Sequence, residues 1–295
     1  MKSDSSPIVS APEIVSTAPP LGAGTQTPVA ITTTGLTRRY GTLVAVDHLD
    51  LRVESGSIFG LLGPNGAGKS TTIMMLITLL PPSEGGAMVA GYDIIRSPAS
   101  VRRHIGYVPQ SVSADGALTG AENLRLSARL YGLPRSERAE RISEALEFMG
   151  LREHADALVK KYSGGMVRRL ELAQAMLHRP AVLFLDEPTI GLDPIARHAV
   201  WERLRELRQR FGMTVFLTTH DMEEAEALCG TLGIMHSGKL AALGAPEALK
   251  KQVGADATLD DVFIHFAGAS LGDADSEGGR YSDVRRTRRT ATRLG

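Results

Sequence analysis

Eight consecutive residues, Gly63-Pro64-Asn65-Gly66-Ala67-Gly68-Lys69-Ser70, have the types and spacing needed to hold a chain of phosphates. They fit the pattern G-x-x-x-x-G-K-[ST]. Glycines let the backbone curl until several N–H groups point at one phosphate. A helix that follows adds the positive end of its dipole. Lys69 then supplies a mobile charge for the β- and γ-phosphates, and the Ser70 hydroxyl is placed to hold Mg²⁺. A buried strand before the loop and a helix after it give a context that a chance glycine-rich turn lacks.

Asp186 and Glu187 close the apolar run Val182-Leu183-Phe184-Leu185. The carboxyl end of a buried parallel strand is where ligands bind in open α/β sheets. Two adjacent acids there repel each other unless a cation or an ordered water lies between them. Asp186 is the candidate to hold Mg²⁺ through water, and Glu187 the candidate to activate or orient an attacking water. On their own the pair could also be an acidic, solvated strand end. Ser163-Gly164-Gly165 precedes a helical run, Met166 to His178, that Pro180 closes. Ser163 can cap that helix, and the glycines let backbone N–H groups approach an anion. A cap with no ligand is an equal reading of the local residues. With it, one chain has two phosphate-type helix starts, which is unusual for one nucleotide site.

The elements that must position these residues alternate between strand and helix. Leu49, Leu51 and Val53 read as a short alternating strand, and Ser57 to Leu62 as a buried one. Ser70 to Leu80 reads as a helix stopped by Pro81-Pro82. Thr119 to Glu122 has capping-box spacing and opens a helix that reaches Tyr131. Ala139, Ile142, Leu146 and Met149 share one helical face, and Gly150 is placed to end that helix. Val182 to Leu185 and Thr214 to Leu217 are continuous apolar runs of the kind covered on both faces of a parallel sheet. Together these predict an α/β domain with a helical insertion at about residues 111–165.

Composition narrows the partners. Lys+Arg and Asp+Glu are both 33, so the formal net charge is zero, against a surface that grips nucleic acid throughout. No apolar run reaches the ~18 residues that a spanning helix requires. One cysteine, Cys229, excludes an intramolecular disulfide framework and reads as a small buried hydrophobe. Residues 1–29 are rich in Ser, Thr, Pro and Ala and read as a disordered leader. Residues 269–295 read as a disordered basic tail carrying Arg285, Arg286, Arg288, Arg289 and Arg293. Such a cluster could attract anionic lipid at about 1 kcal/mol per arginine near a membrane surface, and is also compatible with a simple solvated tail.

Over about residues 30–268 the chain resembles the ATP-binding subunit of an ABC transporter, with the motifs in the family's order. Tyr40, after Thr37-Arg38-Arg39, is similar to the aromatic that stacks on adenine. The loop Gly63 to Ser70 follows, with Thr71 beside it. Gln110, in Tyr107-Val108-Pro109-Gln110, resembles the glutamine that touches Mg²⁺ and senses the membrane partner. Tyr162 to Met166 resembles the signature motif, with Tyr and Met where Leu and Gln are common. Asp186-Glu187 resembles the Walker B pair, Gly191-Leu192-Asp193-Pro194 the loop that crosses the dimer interface, and His220 the switch histidine. Read alone, Tyr40 is also a surface aromatic, and His220 a solvated strand-end histidine. The Tyr-Ser-Gly-Gly-Met form and the closing segment Thr258 to Phe266 resemble the daunorubicin-type drug exporters and their nodulation-factor relatives.

The resemblance implies a P-loop NTPase fold of the ABC type: a RecA-like core, an antiparallel β subdomain and an inserted helical subdomain. It implies ATP and Mg²⁺ as cofactors. Lys69, Gln110, Glu187 and His220 would carry hydrolysis, with Ser70, Gln110 and Asp186 at the metal. Ser163, Gly164, Gly165 and Asp193 would act across a head-to-tail homodimer. The partner would be a separate membrane permease of the ABC-2 type, docked on the helical insertion, and the location the cytoplasmic face of the membrane. The rival readings are a non-transport ABC ATPase of the translation or DNA-repair type and a non-hydrolysing regulator. The first is disfavoured by a single nucleotide domain without sustained heptads, the second by the presence of Lys69, Glu187 and His220.

Overall fold

The computed structural model describes residues 28–268. The expected leader, apart from its last two residues, and the expected basic tail lie outside the described residues. The described chain runs β1 (Val29–Tyr40), β2 (Leu43–Leu49), β3 (Arg52–Glu54), β4 (Ile58–Leu62), α1 (Lys69–Leu76), β5 (Glu84–Val89), β6 (Tyr92–Asp93), α2 (Pro98–His104) and β7 (Ile105–Val108). It continues through α3 (Gly120–Leu130), α4 (Arg135–Phe148), two short 3₁₀ turns, α5 (Gly164–Met176), β8 (Val182–Asp186), α6 (Pro194–Phe211) and β9 (Thr214–Thr219). It closes with α7 (Met222–Leu228), β10 (Thr231–His236), β11 (Lys239–Gly244), α8 (Pro246–Val253) and α9 (Leu259–Gly268).

Two sheets organise these elements. One has the order β11-β10-β4-β9-β8-β7, with β10, β4, β9, β8 and β7 parallel and β11 antiparallel at the edge. The other is antiparallel, β2-β1-β5-β6, with β3 also paired to β1. The continuous apolar runs predicted for β8 and β9 occupy the middle of the parallel sheet, and their residues are fully buried. Alternation sends them to two separate cores. Leu183, Leu185, Val215 and Leu217 join the cluster that includes α3, α4 and α5. Phe184 and Phe216 join the cluster shared by α1 and the antiparallel sheet, where Phe216 stacks on Phe59 with ring centroids 5.1 Å apart.

Three local expectations need correction. Leu49, Leu51 and Val53 are all buried, yet they do not form one strand. β2 ends at Leu49 and β3 begins at Arg52, because the chain passes from one end of β1 to the other. At the crossing the Thr33 hydroxyl takes over the ladder, donating to the Leu49 carbonyl at 2.7 Å and accepting from the Leu51 N–H at 2.7 Å. The helix expected over 70–80 ends at Leu76, before the prolines act. Thr78 turns to φ 65°, and the Leu79 and Leu80 N–H groups fold back onto the Met74 carbonyl, closing the helix as C-terminal caps do. Ala139 is exposed; the buried stripe of α4 is Ile142, Ala145, Leu146 and Phe148, followed by Met149.

The helical insertion forms as expected. Thr119 makes a reciprocal capping box with Glu122 at the start of α3, and Gly150, at φ 63°, ends the turn after α4. Between Gln110 and Ser163 the only β pairing among the described residues is an isolated bridge, Thr119 to Leu158. The closing segment from Thr258 is α9, capped by Thr258 and Asp261 in reciprocal hydrogen bonds and buried through Leu259 and Val262.

Candidate active site

The loop between β4 and α1 has little freedom in its residue types. Gly68 caps α1 at φ 101°, and a Cβ there would lie 2.3 Å from the Ala45 carbonyl oxygen. A Cβ on Gly63 would meet the Met235 carbonyl oxygen at 2.3 Å. The loop is thus pressed against β2 and β10, and only glycine lets the backbone pass. Lys69 folds back over it, donating to the Gly63 carbonyl at 2.8 Å and the Pro64 carbonyl at 3.1 Å. The Ala67 N–H closes the turn onto Pro64 at 3.2 Å.

β8 delivers the two acids beside this loop. Ser70 Oγ donates to Asp186 Oδ1 at 3.1 Å, so the hydroxyl and carboxylate named from sequence share one spot. Asp186 also accepts from the Thr218 hydroxyl. Glu187 is 5% exposed, and its Oε1 lies 3.5 Å from Lys69 Nζ. Its Oε2 is 3.3 Å from both Gln110 Nε2 and His220 Nδ1. The other three proposed hydrolytic side chains, Lys69, Gln110 and His220, therefore meet on the Glu187 carboxylate. Burial pushes the Lys69 ammonium below its usual range, and the Glu187 carboxylate opposes that shift. Burial, helped by the Asp186 carboxylate, raises the Tyr107 phenol to about 12.

Glu187 holds a left-handed backbone at φ 48°. For a non-glycine residue this conformation costs on the order of 1–3 kcal/mol. It persists because the Glu187 N–H donates both to the Thr218 carbonyl and to its hydroxyl, at 3.1 Å each. Thr218 therefore orients both Asp186, the last residue of β8, and Glu187, which follows it. The Thr218-Thr219 pair at the end of the apolar run Thr214 to Leu217 is the sequence signal that could have found it.

A pocket of about 530 Å³ opens over the loop, lined by Asn65, Gly66, Gly68, Lys69, Ser70 and Thr71, with Gln110 and Glu187 on one side. Tyr40 stands at the rim with Leu43 and Ala45, 45% exposed, with the Arg38 guanidinium 4.6 Å over its ring. An exposed aromatic face beside a phosphate cradle is where an adenine would stack.

Ser163, Gly164, Gly165 and Asp193 do not line this pocket. They form a second surface of their own. Ser163 caps α5 by accepting from Met166 N–H, and Asp193 caps α6 by accepting from Ala196 N–H at 3.0 Å. The two helix starts touch: a Cβ on Gly165 would lie 2.7 Å from the Ala196 Cβ.

Behind the site, Glu224 on α7 is 1% exposed. Its Oε1 accepts from Thr189 Oγ1 at 2.7 Å and Trp201 Nε1 at 3.1 Å, tying α7 and α6 to the segment after Glu187. Burial raises this carboxyl above its ordinary 4.5. The native state then binds its proton more tightly than the unfolded chain. That contribution favours folding below about pH 4.5 and is lost as pH rises through the shifted value. Glu224→Gln keeps the acceptor oxygen without the charge. It should raise the thermal midpoint at pH 8 by about 2–4 °C, with the gain shrinking towards pH 4.5; calorimetry showing no gain at pH 8 would overturn this.

A phosphate cradle after β4 of a mostly parallel sheet, with two acids at the end of β8, one strand removed across β9, defines a P-loop ATPase. Residues 46–190 match the family model described as ABC transporter. Nod factor export ATP-binding protein I of Cupriavidus metallidurans is 47% identical over 218 residues, 74% of this chain and 72% of that protein. Daunorubicin/doxorubicin resistance ATP-binding protein DrrA of Streptomyces peucetius is 46% identical over 232 residues, 79% of this chain and 70% of that one. A solved ATP-binding subunit of an ABC transporter superposes with TM-score 0.72 at 32% identity, covering 80% of this chain and 99% of the other. The chain belongs to the ABC transporter family of ATP-binding subunits, and it is an ATPase. These relatives are transporter subunits, so the translation and DNA-repair alternative falls away.

Proposed function

We propose that this chain energises export through a separate membrane permease, as one of two copies paired head to tail around ATP. The observation that carries this reading is the division of the site: the Ser163 and Asp193 helix starts lie together but outside the phosphate pocket. In the pairing, each copy's Ser163, Gly164, Gly165 and Asp193 complete the other copy's pocket. Nucleotide then joins the subunits, and its hydrolysis releases them.

In this reading Tyr40 stacks on adenine, and the backbone N–H groups between Asn65 and Thr71, with Lys69, hold the phosphates. Glu187 accepts the proton of the attacking water, while Gln110 and His220 orient it and the γ-phosphate. The hydroxyl of Ser70, the carboxylate of Asp186 and the amide oxygen of Gln110 are hard oxygen donors that fit Mg²⁺. When bound, that ion neutralises charge on the β- and γ-phosphates.

The permease is proposed to dock on the helical insertion. A cleft of about 640 Å³ lies between α2 and the α3–α4 turn, with Arg102, Arg141 and His178 among its walls and exposed Leu130 and Tyr131 at its edge. No described helix is long and apolar enough to cross a membrane. The chain is placed on the cytoplasmic face through this partner, with the Arg285–Arg293 tail touching anionic lipid. The similarity to Nod factor export and daunorubicin resistance subunits favours an exported drug, lipid or polysaccharide-like substrate.

Copurification with the permease tests the assignment. Substrate added to the reconstituted complex should stimulate ATP hydrolysis several-fold, about the scale of other coupled conformational effects. In the same vesicles, removing the residues after 270 should weaken association with anionic lipid. Hydrolysis indifferent to the permease would overturn the export reading, and unchanged vesicle binding would overturn the role of the tail.

A further inference from the structure

Gln110 sits on a loop with no regular structure, yet its amide meets a buried carboxylate. What holds that loop is an ion pair on the signature helix. Arg168 and Glu171, 5% and 2% exposed, stand one turn apart on α5 with Nη1 and Oε2 3.1 Å from each other. The Arg168 fork donates to the Pro109 carbonyl at 2.8 Å and the Gln110 carbonyl at 3.1 Å. Glu171 Oε1 accepts from the Ser113 N–H and, at 2.9 Å, from the Ser113 hydroxyl. The pair thus grips both ends of the Pro109–Ser113 segment.

A buried ion pair usually adds little net stability over well-packed apolar residues. Its value here is geometric: a planar guanidinium fixes two successive carbonyls at once. We propose that Arg168 and Glu171 are positioning residues for hydrolysis, holding the 109–113 segment so that the Gln110 amide reaches Glu187. Because both stand on α5, they also join the Gln110 side of one pocket to the helix whose start carries Ser163. The proposal rests on the reading of Gln110 as a hydrolytic residue.

The test is a double-mutant cycle on the full-length chain, reading kcat and KM for ATP. Arg168→Met with Glu171→Leu removes both charges and leaves neither orphaned. This double variant should lower kcat about tenfold with KM for ATP held within about twofold, since misplacement of a catalytic group costs rate more than binding. In a Gln110→Ala background the same change should cost less than about twofold, because residues that act through one another are not additive. An equal fall in both backgrounds would show a merely structural role and overturn the proposal. A normal kcat for Gln110→Ala alone would remove Gln110 from hydrolysis, and the positioning role with it, a result distinct from equal falls. Should the double variant fail to fold, Arg168→Lys carries the same cycle. It keeps the charge beside Glu171 but not the fork, so its loss of kcat should likewise vanish without Gln110.

Discussion

Glu187→Gln should slow ATP turnover by about three orders of magnitude while ATP binding survives, since general-base and electrostatic contributions at such sites are of that size. Glutamine has the same shape and keeps an oxygen where Glu187 Oε1 faces Lys69 at 3.5 Å. The backbone contacts that hold position 187, from its N–H to Thr218, do not involve the side chain. The phosphate cradle is untouched, so affinity for ATP should be retained. What disappears is the ability to take a proton from water. The ATP-bound pair should then outlive the normal cycle and appear in size-exclusion chromatography as a species of twice the mass that forms only with ATP. Turnover at the normal rate would exclude Glu187 from catalysis.

Lys69→Met has the opposite signature and should weaken nucleotide binding about a hundredfold. Charge-assisted contacts to phosphate in a buried site are worth about 3 kcal/mol, which is about a hundredfold in affinity. The change does a second kind of damage. Glu187 is buried and pairs with the Lys69 ammonium; its other side-chain partners among the described residues are the Gln110 amide and the His220 ring. Without the ammonium its charge is left uncompensated, so the local arrangement of the acids should suffer as well. Titration calorimetry with ATP in the presence of Mg²⁺ reads the first effect directly, and undiminished affinity would show that Lys69 does not hold phosphate.

The residues of the pocket were legible in the sequence because their chemistry is local. Gly63, Gly68, Lys69 and Ser70 are defined by spacing within one turn, and the turn allows few alternatives. Asp186 and Glu187 were marked by the apolar strand that they end, as Ser163 was by the helix that it caps. What the sequence did not disclose lies between distant positions. Thr218 supports Asp186 across 32 residues, and Arg168 supports Gln110 across 58. Both read as ordinary polar residues of a strand and a helix until the loops pack on them. The antiparallel sheet was also largely hidden. β1 mixes arginine and both buried and exposed threonine with the buried Ala30, Ile31 and Leu36, so its pattern has no clean period. The early end of α1 was concealed by Pro81-Pro82, a stronger signal than the turn at Thr78 that acts first.

The division of the interior has a mechanical consequence. The parallel sheet is a shared wall: Leu183 and Leu185 of β8 press into the core beneath the helical insertion, while Phe184 between them presses into the core beneath α1 and the antiparallel sheet. A load applied by a partner to the insertion reaches the wall on one side, and a load set by nucleotide at the start of α1 reaches it on the other. This strand, which feels both, ends in Asp186 and leads directly into Glu187. β4 and β9 divide their side chains between the same two cores, so the two acids lie at the end of one of several strands that sense both loads, and force and the proposed chemistry can be exchanged there without a separate relay.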